Sequence, residues 1–178
     1  MGEIRSTLDI IMEKTKDLTM SDAEKEEYRR TTLSGKLKGL VQKFIDNQIS
    51  SHSIRSEIES EREKSPALVD ELLKGELIER LEPDGDNDKV FELLEELLDV
   101  DTSSLEHPIG EFREKVNKEK IVIMDGLRKK LAEREISGPA AVPNLTHDET
   151  WSTFYEESKG ACKEQLSVIV DNQTTGSR

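Results

Sequence analysis

Ser65 to Leu81 reads SPALVDELLKGELIERL, and the fold class turns on how that run is taken. Ser65-Pro66 is a helix start: the serine caps, and the proline sits at the first helical position, where its missing N–H costs nothing. Behind it, Leu68, Val69, Leu72, Leu73, Leu77 and Leu81 recur at three and four residues, the spacing of one helical face. The run ends at Pro83-Asp84-Gly85-Asp86-Asn87, which is turn chemistry. A second apolar face then follows in Val90, Phe91, Leu94, Leu97 and Leu98, with Asp88 placed to cap it. Two helices, 66–81 and 88–99, form a hairpin in this reading.

Working outward, the same period continues in both directions. Ile4, Leu8, Ile11, Thr15 and Leu18 predict a helix over 3–18, and the capping box Ser21-Asp22-Ala23-Glu24 opens another over 21–49. Leu33, Leu37, Leu40, Val41, Phe44, Ile45 and Ile49 form its apolar face. Gly35 and Gly39 weaken it by about 1 kcal/mol each relative to Ala and would permit a close helix approach. Ser50-Ser51-His52-Ser53 reads as a bend or a short break, after which Ile54 and Ile58 predict a short helix over 54–63. Ser103 and Glu106 suggest a further capping box and a long helix over 104–136 through Ile109, Phe112, Val116, Ile123, Leu127 and Leu131. Ser137-Gly138-Pro139 begins a linker over 137–145. Thr146 and Glu149 then cap a last helix, 146–172, whose face carries Trp151, Phe154, Tyr155, Ser158, Cys162, Leu166 and Ile169. Its aromatic first turns suit a docking helix on a body formed by 1–136, with a disordered tail over 173–178. The expected architecture is all-α: an elongated helical bundle of five to six amphipathic helices, completed by self-association.

Composition points to the same economy. Only 33% of the 178 residues are hydrophobic and 37% are charged, so the core is thin, and sharing apolar surface with another chain is the natural remedy. The net charge of −13 is not spread evenly. Residues 51–104 hold seventeen acids and six bases, whereas 1–50 hold nine of each and 105–178 thirteen and eleven. That field disfavours nucleic acid and anionic membrane as partners, because both require net Lys and Arg. A single Cys162 allows no intramolecular disulfide and fits a reducing cytoplasm.

Two acidic patterns raise metal chemistry. Glu76-x-x-Glu79 on one helix and Glu96-x-x-Asp99 on the next place paired carboxylates on single helical faces. The spacing resembles the motif of the all-α nucleotide pyrophosphohydrolases of the MazG type. That resemblance implies Mg²⁺ held by Glu76, Glu79, Glu96 and Asp99, with water attacking a nucleoside triphosphate. It is confined to this hairpin, and Val100-Asp101-Thr102-Ser103 interrupts the apolar run that would follow the motif. Overlapping Glu-x-x-Glu patterns at Glu79/Glu82, Glu92/Glu95 and Glu111/Glu114 make a solvated acidic face the plainer reading. Asp84-Gly85-Asp86-Asn87-Asp88 with Phe91 and Glu95 resembles an EF-hand calcium loop, but Lys89 stands where that loop turns on Gly.

His52, His107 and His147 are far apart in sequence and make no Glu-x-x-His pair, so a di-iron bundle is not expected. Cys162 falls on an apolar face and has no base placed beside it. Arg29, Arg30, Lys36, Lys38, Lys43 and Arg128-Lys129-Lys130 flank apolar stripes, as solvated cations or as counterparts to the acidic 51–104 region of another copy. The expected function is non-catalytic, through self-association or a protein partner. The alternative is the Mg²⁺-dependent pyrophosphohydrolase.

Overall fold

The computed structural model describes residues 20–136, 138 and 142–175. The helix expected over 3–18, most of the first linker residues and the last residues of the tail lie outside the described residues. The protein is an all-α helical bundle, and no strand occurs among the described residues. Its helices are α1 (Asp22–Ile45), α2 (Ser51–Arg62), α3 (Pro66–Arg80), α4 (Asp88–Leu98), α5 (Ser103–Ala132) and α6 (Glu149–Thr175), with a 3-10 turn at Leu145–His147. The chain forms two compact units divided between Leu73 and Lys74, inside α3.

In the first unit, α1 opens on the expected capping box. Ser21 Oγ accepts from the Glu24 N–H at 3.3 Å, and Glu24 Oε2 accepts from the Ser21 N–H at 2.7 Å. Those bonds favour the ionised carboxylate and hold Glu24 below its ordinary range. The helix ends at Ile45 rather than 49, because Asn47 turns the chain into the left-handed region at φ 56°. Asparagine tolerates that conformation better than most residues. The break falls over 46–50, just ahead of most of the serine cluster: Ser50 accepts from the Ser53 N–H at 3.2 Å, and α2 begins at Ser51. Leu33, Leu37, Val41 and Phe44 of α1, Ile54 and Ile58 of α2, and Val69 and Leu73 of α3 are buried. A polar rim fastens this layer: Lys36 binds Glu61 at 2.8 Å and Glu57 at 3.3 Å, Arg62 binds Asp70 at 2.8 Å, and Arg30 binds Glu71. Gly35 and Gly39 line an open groove of ≈ 670 Å³, and a Cβ at either would meet nothing within 4 Å.

In the second unit, α4 buries Val90, Leu93, Leu94 and Leu97, so its inward face is turned from the expected one: Leu93 joins it, while Phe91 and Leu98 are half-buried. The expected cap, Asp88, is the first helical residue; the N-cap is Asn87, whose side chain does not cap but accepts from Glu82 N and donates to Glu82 O, both at 2.9 Å, and so closes the preceding turn. At the start of α5 the cap comes from Asp101, whose Oδ1 accepts from Ser103 N at 3.1 Å and Ser103 Oγ at 2.6 Å. The expected capping box of Ser103 is displaced because Ser103 is already inside the helix. α5 ends at Ala132, short of 136, and Glu135 follows at φ 62°.

The last helix begins at Glu149 rather than 146. Asn144 first caps the 3-10 turn, and Asp148 Oδ1 then accepts from Trp151 N at 2.8 Å. It continues to Thr175, so residues 173–175 are helical rather than part of a tail. α6 runs antiparallel along α5. Gln173 Nε2 donates to Ser104 Oγ at 2.8 Å, Cys162 Sγ to Pro108 O at 3.5 Å, Tyr155 meets Phe112 edge to face, and Lys115 Nζ lies 5.3 Å over the Phe154 ring. Cys162, Leu166 and Val170 form its buried stripe.

Candidate interaction surface

The four carboxylates of the hairpin do not assemble. Glu76 is 6% exposed, and its Oε1 accepts from Arg80 Nε at 2.6 Å one turn along α3. Glu79 and Glu96 are exposed. Asp99 lies beyond α4, whose last residue is Leu98, and at φ 55° it forms the left-handed C-cap. A Glu-x-x-Asp pair shares a face only while both residues are helical, so ending the helix at Leu98 takes Asp99 out of register with Glu96. Among the described residues, no three of His, Cys, Asp and Glu form a group that could hold a metal ion.

The loop that resembles a calcium site is instead tied down by the protein's own cations. α4 begins at Asp88, so everything from the fifth loop position onward is helical and cannot wrap an ion. Glu82 receives Lys159 at 2.5 Å and Lys163 at 2.8 Å; these hydrogen bonds hold its carboxyl below the ordinary range and raise Lys159. Asp84 accepts from the Tyr155 hydroxyl, which lowers the Asp84 carboxyl and raises the phenol. Arg113 donates to Pro83 O and Gly85 O, both at 2.9 Å. Glu95 accepts from the Thr102 hydroxyl, joining the end of α4 to the start of α5. The loop is therefore a latch holding α4, α5 and α6, and it uses the oxygens a cation would need.

The isolated nucleophile and bases are equally committed or solitary. Cys162 is buried, and that burial raises its thiol pKa, which lowers the thiolate fraction. His107 lies 3.6 Å from Glu111 on an exposed turn of α5, while His52 and His147 are exposed on other elements.

What remains is a surface. The stripe Leu105, Ile109 and Phe112 is buried, and on a helix it continues through Val116, Ile123 and Leu127. Those continuing residues and Leu131 are only half-buried, and Ile121 and Val122 on the reverse side are 64% and 63% exposed. Geometry explains the change. Phe154 of α6 lies level with Lys115, and α6 starts little more than a turn earlier, at Glu149. Residues 119–132 therefore extend roughly 20 Å past the helix that covers the rest of α5. At 121–124, with Ile, Val, Ile and Met in succession, α5 is apolar around most of its circumference. The periodicity identified the stripe, but only the end of α6 shows where its cover stops. No family model, no curated protein and no solved structure matches the chain.

Proposed function

We propose that this protein is non-catalytic and acts by binding protein through the distal part of α5, residues 119–132. The observation that carries the reading is the continuation of a buried stripe into a segment that, among the described residues, runs past the start of α6. A helix that is apolar all round is normally buried, and full burial of an Ile or Val side chain is worth about 1.5–3 kcal/mol. A surface carrying exposed Ile121 and Val122 beside half-buried Ile123 and Met124 is therefore suited to a protein partner. No described helix is long and apolar enough to cross a membrane, so the apolar turn is not part of a span.

The test is the double variant Ile121→Asp/Val122→Asp, measured beside the parent chain by sedimentation velocity and by a photo-crosslinker placed at position 122 in cells. The expected result is an unchanged circular dichroism spectrum with loss of both concentration-dependent sedimentation and crosslinked adducts. A parent chain that stays monomeric and gives no adduct would contradict the proposal.

A further inference from the structure

Distal α5 is basic as well as apolar. Residues 119–132 carry four bases and two acids in a chain whose net charge is −13. Lys118 pairs with Glu114 at 3.3 Å, and Arg128 lies 3.6 Å from Asp125. Lys120, Lys129 and Lys130 make no ion pair among the described residues. A partner seated on the apolar turn thus meets a rim of uncompensated cations.

The same chain displays the complementary surface. Asp88, Glu92, Glu95 and Glu96 fall on one arc of α4, opposite the buried Val90, Leu93, Leu94 and Leu97. Asp88, Glu95 and Glu96 are exposed, and Lys89 is the one basic residue in that helix. Opposed potentials of this kind fix register and speed encounter between protein surfaces.

Resting on the proposed function above, we propose that the partner of distal α5 is a second copy of this chain, docking the acidic arc of its α4 against Lys129 and Lys130. Exchange of both contacts about a two-fold axis closes a dimer; a one-way contact propagates into a larger assembly. An anionic lipid surface would also attract these lysines. It would cover only one side of the helix, however, whereas the apolar residues at 121–124 lie on several, and the chain's excess negative charge opposes approach to such a surface.

A charge exchange in the full-length chain tests this. One variant carries Lys129→Glu and Lys130→Glu; the other carries Glu92→Lys and Glu96→Lys and keeps Glu95, which holds Thr102. Each alone should assemble at least about tenfold more weakly than the parent, and an equimolar mixture should regain assembly, because each variant then offers the other an opposite charge. Should either variant lose its helical circular dichroism, salt titration of the parent decides: assembly that weakens from about 0.05 M to about 0.5 M salt supports the contact, and assembly indifferent to salt overturns it. A mixture that stays dissociated, or single variants that assemble like the parent, also overturns it. A monomeric parent that gives crosslinked adducts to a different protein at position 122 overturns the second copy but leaves the proposed function standing. A monomeric parent that binds phosphatidylserine-containing vesicles, with no protein adduct, overturns both.

Discussion

The two halves of α5 share one pattern and meet different fates. Between Ser103 and Phe112 the helix buries Leu105, Pro108, Ile109 and Phe112; between Arg113 and Ala132 it buries no side chain, although Val116, Ile123 and Leu127 prolong the same stripe. Amino-acid choice does not separate them, since Ile and Leu occupy both. Their neighbours do. The first half lies beneath α6 and beside the latched loop at 82–88, whereas the second runs beyond the start of α6. An apolar stripe thus states that a helix face is made to be covered, while the covering element is set by where other helices end.

The largest effect that probes this contrast is large-to-small truncation. Phe112→Ala should lower unfolding stability by about 3–5 kcal/mol in urea titration, as for buried aromatic residues generally. Leu127→Ala should cost less than about 1 kcal/mol in dilute protein, since its side chain is already half solvated. Equal losses at the two sites would mean that the distal stripe is covered within a single chain.

An acid titration should act on the first half alone. Glu82 and Asp84, both lowered by their partners on α6, contribute stability that is fully present above their ordinary pKa values of 4.5 and 3.8 and is lost as pH falls through the lower folded values. Tyr155 and Lys159 are raised, so their contributions are present below 10.0 and 10.5 and are lost as pH rises through the folded values. Glu82→Gln should flatten the acid limb and cost up to about 1 kcal/mol at neutral pH, since its pairs are partly solvated. An unaltered acid limb in thermal melts would remove the latch from the account.

The smallest effect comes from glycine. A Cβ at Gly110 or at Gly126 meets nothing within 4 Å. Gly110→Ala should therefore raise stability by about 0.5–1 kcal/mol through helix propensity. Gly126→Ala should raise helicity near 222 nm, the usual helical band, with a smaller gain in global stability, because an uncovered stretch frays apart from the core.

Much of this fold is legible in the amino-acid order, for reasons that also explain the exceptions. Ser65-Pro66 and Ser21-Asp22-Ala23-Glu24 start helices through local chemistry, so those starts fall where expected. Ends fail where one residue can serve two roles. Ser50 to Ser53 reads as a poor interior but is a cap and first turn. Asp88, read as a cap, is the first residue of α4, and Asn87 before it closes the loop. Asp148 takes the cap that Thr146 appeared to hold by spacing. At the candidate metal residues, the Glu96-x-x-Asp99 spacing was visible but the left-handed turn at Asp99 was not, since nothing in an acidic residue announces that conformation. The proposed interaction surface was half legible: the stripe through Leu127 could be read, but the end of its cover depends on the antiparallel register of α6.

Hydrogen exchange of the amides between Glu119 and Ala132, followed across protein concentration, tests the central claim most directly. Fourteen residues of solvated helix are marginal on their own, near the ~12–15 at which isolated helices begin to hold. The account predicts fast exchange in dilute protein and protection that grows with concentration, while the amides around Ile109 and Phe112 stay protected throughout. Protection in the distal segment that is already complete in dilute monomer, or that never appears in concentrated protein or with its partner, would contradict it.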